Sequence, residues 1–162
     1  LGVSKIRITG GEPLTRKGIV SFIQSLSNIS GINDVGISTN GTLLSKPIDD
    51  GSSAAEALFK AGVNSVNVSL DTLSAEQYTA ITGRPFLAKA IEGIDAARNV
   101  GFDKVKINSV LMRGRTENEL FDLVMFLIKS LSLFLSESLS DSDLRVCQYL
   151  CHSVSRCVFV CV

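Results

Sequence analysis

Lys5-Ile6-Arg7-Ile8-Thr9-Gly10-Gly11-Glu12-Pro13 is the stretch on which the fold turns. A short β-branched run from Ser4 to Thr9 reads as a strand, and Gly10-Gly11 stops it. Immediately downstream the period changes. Ile19, Phe22, Ile23 and Leu26 recur at the i, i+3, i+4, i+7 spacing of a helix with one buried stripe, and Gly31 supplies a stop signal. The same alternation repeats along the chain. Asp34 to Thr39 (DVGIST) is a second strand closed by the turn pair Asn40-Gly41, and Ser52 to Ala61 is a helix ending at Gly62. Ser65 to Leu70 (SVNVSL) is a third strand. Ser74 with Gln77 three residues on reads as a capping box. An amphipathic helix from Leu87 to Val100 stops at Gly101, Lys104 to Leu111 (KVKINSVL) is a fourth strand, and a further helix starts near Glu117.

Strands alternating with helices at this spacing predict α/β architecture, with a parallel sheet covered by helices. Periodicity alone leaves an open doubly wound sheet and a piece of a (β/α) barrel as equal alternatives. Residues 1–129 carry this rhythm. After Ser130 the composition shifts to a Ser/Leu-biased run, Ser130 to Asp143, and then to a Cys-, Val- and Ser-rich end. Residues 130–162 are therefore set apart as a low-complexity, Cys-containing tail that is foreign to the fold. A frameshift or retained intron is the plainer origin, and a genuine extension is the alternative.

The bulk composition narrows the function classes. A chain of 162 residues suits one domain, and 45% hydrophobic content is ample for a core. Sixteen basic and sixteen acidic residues cancel, with no block of like charge, so nothing marks a nucleic-acid or membrane-surface partner. The apolar runs fall well short of the ~18 residues a spanning helix needs. The expected partner is a small molecule. The four cysteines, Cys147, Cys151, Cys157 and Cys161, all fall in the tail, which argues against a disulfide scaffold.

Chemistry-bearing residues gather where the strands end, which is where parallel α/β folds hold ligands. The four ends carry Thr9-Gly10-Gly11-Glu12-Pro13, Ser38-Thr39-Asn40-Gly41, Asn67-Val68-Ser69-Leu70-Asp71, and Lys106 with Asn108. Glycines let a ligand approach the backbone, and the Asn, Ser and Asp side chains offer donors and acceptors. GGEP or TNG taken singly is as well explained by an ordinary turn. Four consecutive strand ends with polar groups are harder to explain that way.

The GGEP segment with Arg16-Lys17 resembles the radical S-adenosylmethionine (radical SAM) enzymes. Ser38-Thr39-Asn40-Gly41, Asn67 to Leu73 (NVSLDTL), Ile81-Thr82-Gly83-Arg84 and Lys104 to Gly114 (KVKINSVLMRG) narrow the resemblance to their GTP 3',8-cyclase family, over residues 1 to about 128. The resemblance implies a partial (β/α) barrel of four to five βα units, a 4Fe-4S cluster and S-adenosylmethionine as cofactors, and GTP as substrate. It implies Gly11, Glu12 and Ser69 at S-adenosylmethionine, and Arg7, Ser38 and Lys106 at GTP. Guanidinium and ammonium groups suit phosphate oxygens through charge-assisted bonds. The family often has threonine where Ser38 stands, and the hydroxyl survives.

Ordinary readings stand beside these. Arg7 pairs with an acid on a solvent-facing side, as pattern alone favours. Lys106 faces away from Val105 and Ile107, into a barrel or into solvent. Asp71 and Asn108 cap strand ends. His152, in the tail, carries no catalytic assignment.

In this family the cluster is held by a CxxxCxxC loop upstream of the matched segment, and no such loop occurs in this sequence. The tail cysteines have a different spacing, so no metal ligand is assigned. The expectation is a marginal, aggregation-prone and catalytically inactive chain, with unpaired strand edges and an incomplete core. Another radical SAM enzyme and a non-catalytic nucleotide-binding half-barrel are the alternatives. The resemblance further implies a homodimer for the intact protein, and a cytoplasmic location if bacterial or a mitochondrial one if eukaryotic.

Overall fold

The computed structural model describes residues 2–48, 51–110, 112, 114–132 and 157–161. Leu111 and Arg113 of the fourth strand-end motif, and Cys147, Cys151 and His152 of the tail, lie outside the described residues. In chain order the elements are β1 (Lys5–Ile8), α1 (Ile19–Ser27), β2 (Asp34–Thr39), α2 (Ala54–Lys60), β3 (Ser65–Ser69), α3 (Ala75–Thr82), α4 (Leu87–Val100), β4 (Lys104–Val110), α5 (Leu120–Ser132) and β5 (Cys157–Cys161). A short 3-10 turn, Pro13–Thr15, follows the glycine pair. The first nine match the elements read from the sequence, with ends displaced by up to three residues, as helix and strand termini fray. The chain divides into two compact units, Leu1–Ser69 with Ala88–Val105, and Leu70–Leu87 with Lys106–Val162.

In the first unit β1, β2 and β3 run parallel, with Arg7 opposite Gly36, Gly36 opposite Ser65, and Ser38 opposite Asn67. Alternation along each strand then sorts the side chains. One face carries Ile6, Ile8, Val35, Ile37, Val66 and Val68. The last four are buried together with Ile23 of α1, Leu58 of α2 and Ile94 of α4. Burying each such side chain is worth about 1.5–3 kcal/mol relative to leaving it in water. The opposite face carries Lys5, Arg7, Asp34, Gly36, Ser38, Ser65, Asn67 and Ser69. A parallel sheet covered on both sides would read as continuous apolar runs. This sheet has one apolar face and one polar face.

Local signals start and stop the helices. The Ser53 hydroxyl accepts from the Glu56 N–H at 3.2 Å, and the Glu56 carboxylate accepts from the Ser53 N–H at 2.9 Å, a full capping box for α2. At α3 the Ser74 hydroxyl accepts from the Gln77 N–H at 3.4 Å, the forward arm of the expected box. The stripe on α1 is narrower than its spacing suggests. Ile19 and Ile23 are buried, but Phe22 stays exposed, and the Arg16 guanidinium lies 4.7 Å from the centre of its ring. A cation over an aromatic face is favourable, and it shields part of this ring from water.

The second unit contains α3, α5, β5 and residues 106–110 of β4. The Leu70 N–H donates to the Asn108 carbonyl at 3.0 Å, and the Ser109 hydroxyl donates to the Leu70 carbonyl. β5 runs antiparallel to β4, with Lys106 opposite Cys161 and Val110 opposite Cys157. The end of the tail thus departs from the parallel pattern of the first unit. α5 continues to Ser132, past the composition boundary at 129.

Candidate functional site

Parallel strands bring the loops after β1 and β2 to one edge of the first unit, and Glu12 ties the two together. Its Oε1 accepts from the Thr39 hydroxyl at 2.7 Å and from the Leu14 N–H at 3.1 Å, and its Oε2 accepts from the Asn40 N–H at 2.8 Å. Thr39 is 4% exposed, and its oxygen also accepts from the Gly41 N–H at 3.1 Å. The Asn40 side-chain oxygen takes the Thr42 N–H and hydroxyl. GGEP and STNG therefore form one hydrogen-bonded assembly.

That assembly is held from behind by α4. A Cβ on Gly93 would stand 1.9 Å from the Gly41 carbonyl oxygen, so only glycine lets this helix come so close to the turn. Gly41 itself has φ of +79°, and a Cβ there would meet Val68 at 2.8 Å. Gly93 is required by a backbone contact that cannot yield, and Gly41 by its left-handed φ together with the Val68 side chain.

On the polar face, Arg7 makes a two-pronged ion pair with Asp34, Nη1 to Oδ1 at 2.9 Å and Nη2 to Oδ2 at 3.1 Å. The ordinary reading of Arg7 as an ion-paired strand residue describes this arrangement. The Arg7 hydrogen bond, against some desolvation, holds the Asp34 carboxyl below its ordinary value of 3.8, and the charges of Arg7, Lys5 and Lys104 act in the same direction. Ser38 and Ser69 lie on the same face, Ser38 half-buried and Ser69 exposed at the end of β3. Arg7, Ser38 and Ser69 thus share one sheet face, with Gly11 and Glu12 in the loop tied to Ser38's neighbours.

Lys106 belongs to the second unit and is half-buried on β4. Further along β4 the Val110 N–H donates to Asp71 Oδ1 at 2.8 Å, so Asp71 caps the strand end as its ordinary reading supposed. Thr72, fully buried, donates to Glu119 Oε2 at 2.6 Å, and the Leu73 N–H donates to the same oxygen at 2.9 Å. Burial, with a contribution from the Asp71 charge, pushes the Tyr78 phenol above its ordinary value.

The glycine pair fits a ligand approaching the backbone, since nothing lies within 4 Å of where a Cβ would stand on Gly10 or Gly11. Among the described residues there is no group of three or more His, Cys, Asp or Glu able to hold a metal ion, so these residues offer no ligand set for a cluster. Two concavities in the first unit lie elsewhere, one against Phe59, Lys60 and Asn99 and one against Asn28, Asn33 and Asn64. Neither is lined by the GGEP or STNG segments, and they carry no assignment.

Sequence reasoning missed Asp34, Gly36, Gly93 and Glu119 as parts of this machinery. A glycine inside a strand and another inside a helix were available signals, because each costs stability unless a close contact needs it. Asp34 and Glu119 had no local signal, since their partners lie 27 and 47 residues away.

Residues 1–127 match the family model of the radical SAM superfamily. The chain is 50% identical over 120 residues to a GTP 3',8-cyclase of Thermodesulfovibrio yellowstonii, covering 74% of this chain and 35% of that protein. It is 48% identical over 124 residues to one of Petrotoga mobilis, covering 76% and 36%, and 45% identical over 129 residues to one of Ectopseudomonas mendocina, covering 80% and 37%. The chain spans a little over a third of the length of these curated relatives.

Proposed function

We propose a function from one premise: this chain belongs to the radical SAM superfamily. Its α/β fold is a partial barrel of that family, whose members work with a 4Fe-4S cluster and S-adenosylmethionine. The protein to which the segment belongs is a GTP 3',8-cyclase, converting GTP to (8S)-3',8-cyclo-7,8-dihydroguanosine 5'-triphosphate in molybdenum cofactor biosynthesis. The single observation that carries this reading is the polar sheet face bearing Arg7, Ser38 and Ser69 in a chain so similar to GTP 3',8-cyclases.

When bound, the cluster and S-adenosylmethionine supply the one-electron and hydrogen-abstracting chemistry, and the protein binds and orients. Gly11 offers open backbone to the amino group of the methionyl moiety, and Ser69 a hydroxyl to the same cofactor. Glu12 keeps that loop in place through Thr39 and Asn40, and one lone pair on Oε2 is left for an incoming ammonium. Arg7 and Lys106 take phosphate oxygens, and Ser38 donates to or accepts from GTP. On this reading the 162-residue chain by itself is inactive, because its sequence carries no CxxxCxxC motif.

The test is product analysis. The complete protein, reconstituted with iron and sulfide and supplied with reductant, GTP and S-adenosylmethionine, is expected to consume GTP and yield the cyclised dihydroguanosine triphosphate by mass spectrometry and NMR. Untouched GTP alongside modification of a peptide or another small molecule would assign the segment to a different radical SAM enzyme. Titration of the 162-residue chain with GTP and S-adenosylmethionine separates both from a non-catalytic binding module.

A further inference from the structure

Gly36 is a strand glycine with ordinary backbone geometry, so its lack of a side chain needs another explanation. It is not among the positive-φ glycines. A Cβ there would stand 2.1 Å from Arg7 Nη1, 2.7 Å from Arg7 Cζ and 2.7 Å from the Ser65 hydroxyl. The space that a side chain would fill is occupied by the guanidinium of the strand partner. Arg7 lies across the bare backbone of Gly36 and reaches Asp34, two residues nearer the start of β2. At about 3.3 Å per residue, Asp34 lies about 6.6 Å to one side of Gly36 along the strand and Ser38 about 6.6 Å to the other. Arg7 is therefore turned away from the strand ends, and its Nη1–Nη2 fork is filled by a carboxylate. A phosphate would bind through that same fork.

We infer that Asp34 and Gly36 are specificity-determining residues: they park Arg7 on an internal carboxylate, which a bound ligand's phosphate must displace. This rests on Arg7 being a phosphate contact, as proposed above. A neutral nucleoside gains nothing from the exchange, and a weak monoanion competes poorly with a carboxylate already in place. A polyphosphate brings enough charge to take the guanidinium. The pair is half open to solvent, at 47% and 26% side-chain exposure, so the barrier is modest and suits reversible exchange.

The experiment is a set of calorimetric titrations of the 162-residue chain with GTP, inorganic triphosphate and guanosine, at low and at moderate salt. Asp34→Asn is expected to tighten GTP and triphosphate about two- to fivefold, the range an exposed pair of this kind commands. Guanosine should be unmoved. Gly36→Ala is expected to push the guanidinium off Asp34 and to tighten both anions in the same direction. It should leave thermal stability nearly unchanged, because the obstructed atoms are movable side-chain ends. In an Arg7→Ala background Asp34→Asn should have no effect; an equal gain there would mean that general charge, not release of Arg7, is responsible, and would overturn the inference.

Weaker anion binding by Asp34→Asn would also overturn it, making Asp34 a support for Arg7 in place of a competitor. If Arg7→Ala binds triphosphate as well as the unsubstituted chain does, or if no variant binds it, the phosphate reading of Arg7 fails. A ligand-free measurement separates that failure from a failure of the cradle. By NMR the Asp34 carboxyl, which faces Arg7, Lys5 and Lys104, should titrate low in the unsubstituted chain and shift upward in both Gly36→Ala and Arg7→Ala. An Asp34 titration identical in all three would show that no cradle exists.

Discussion

Two carboxylates perform the same task in the two units, and they perform it differently. At the end of β2, Glu12 takes the hydroxyl of Thr39 and the N–H of Asn40, while Thr39 accepts from the N–H two residues on, at Gly41. In the second unit, Glu119 takes the hydroxyl of Thr72 and the N–H of Leu73, while Thr72 accepts from the N–H two residues on, at Ser74. Each buried threonine holds a turn in shape and is itself satisfied by a glutamate from a separate segment. The difference lies in how the glutamate is used. Glu12 spends both oxygens and gains a third donor, Leu14, whereas Glu119 serves both its donors through Oε2. Glu12 is thus a tie between two loops of the candidate site before it is anything to a ligand.

That contrast can be broken from behind. The largest effect is expected from Gly93→Ala, which drives a methyl into the Gly41 carbonyl and must move either α4 or the STNG turn. Overpacking against backbone costs about 1–3 kcal/mol or more, so a chemical-denaturation midpoint should fall clearly, and a fall as small as that of a surface control would remove α4 from the account. A substitution at each carboxylate sharpens the comparison. Glu12→Gln puts an NH2 group against donors that need an acceptor and should cost about 1–3 kcal/mol. Glu119→Gln keeps one acceptor oxygen for both donors and should cost under about 1 kcal/mol. Equal losses in denaturation experiments would show that the two carboxylates are not used differently.

The threonines come next. Thr39→Val and Thr72→Val each remove one hydroxyl that both donates and accepts, and each should lose about 1–2 kcal/mol, with serine at either position restoring most of it. The smallest expected effect concerns Arg7 and Asp34. Because the folded chain holds the Asp34 carboxyl below 3.8, the pair stabilises the fold above that value, and the contribution is lost as pH falls through the lower, folded value. Comparing the unsubstituted chain with Arg7→Ala, a small stability difference near neutrality should vanish in acid and shrink in high salt. A difference that grows as pH falls would contradict the sign of this linkage.

The contrast also explains what the sequence disclosed. The β1 run, its glycine pair and the STNG turn were legible because their signals are local: strand propensity, turn pairs and helix periodicity lie within a few residues. So was the presence of Arg7, Ser38 and Ser69 on three successive strands. What Arg7 does with its charge was not legible, because register decides that Gly36 lies beside it and Asp34 within reach. Nor was the tie made by Glu12 or Glu119, whose partners are brought together only when the loops are in place. Phe22 matched a buried stripe by spacing and yet lies outside, because the stripe on α1 is satisfied by Ile19 and Ile23. The antiparallel β5 had no counterpart in the alternating pattern, which predicts only parallel partners.

GTP is expected to meet the polar face of β1, β2 and β3. Backbone and side-chain NMR of the 162-residue chain during titration with GTP tests this directly. Shifts concentrated at Arg7, Gly36, Ser38 and Ser69, with Val35, Ile37 and Val66 of the buried face left still, are the expected result. Shifts confined to the opposite helices, or spread evenly over both faces, would contradict it.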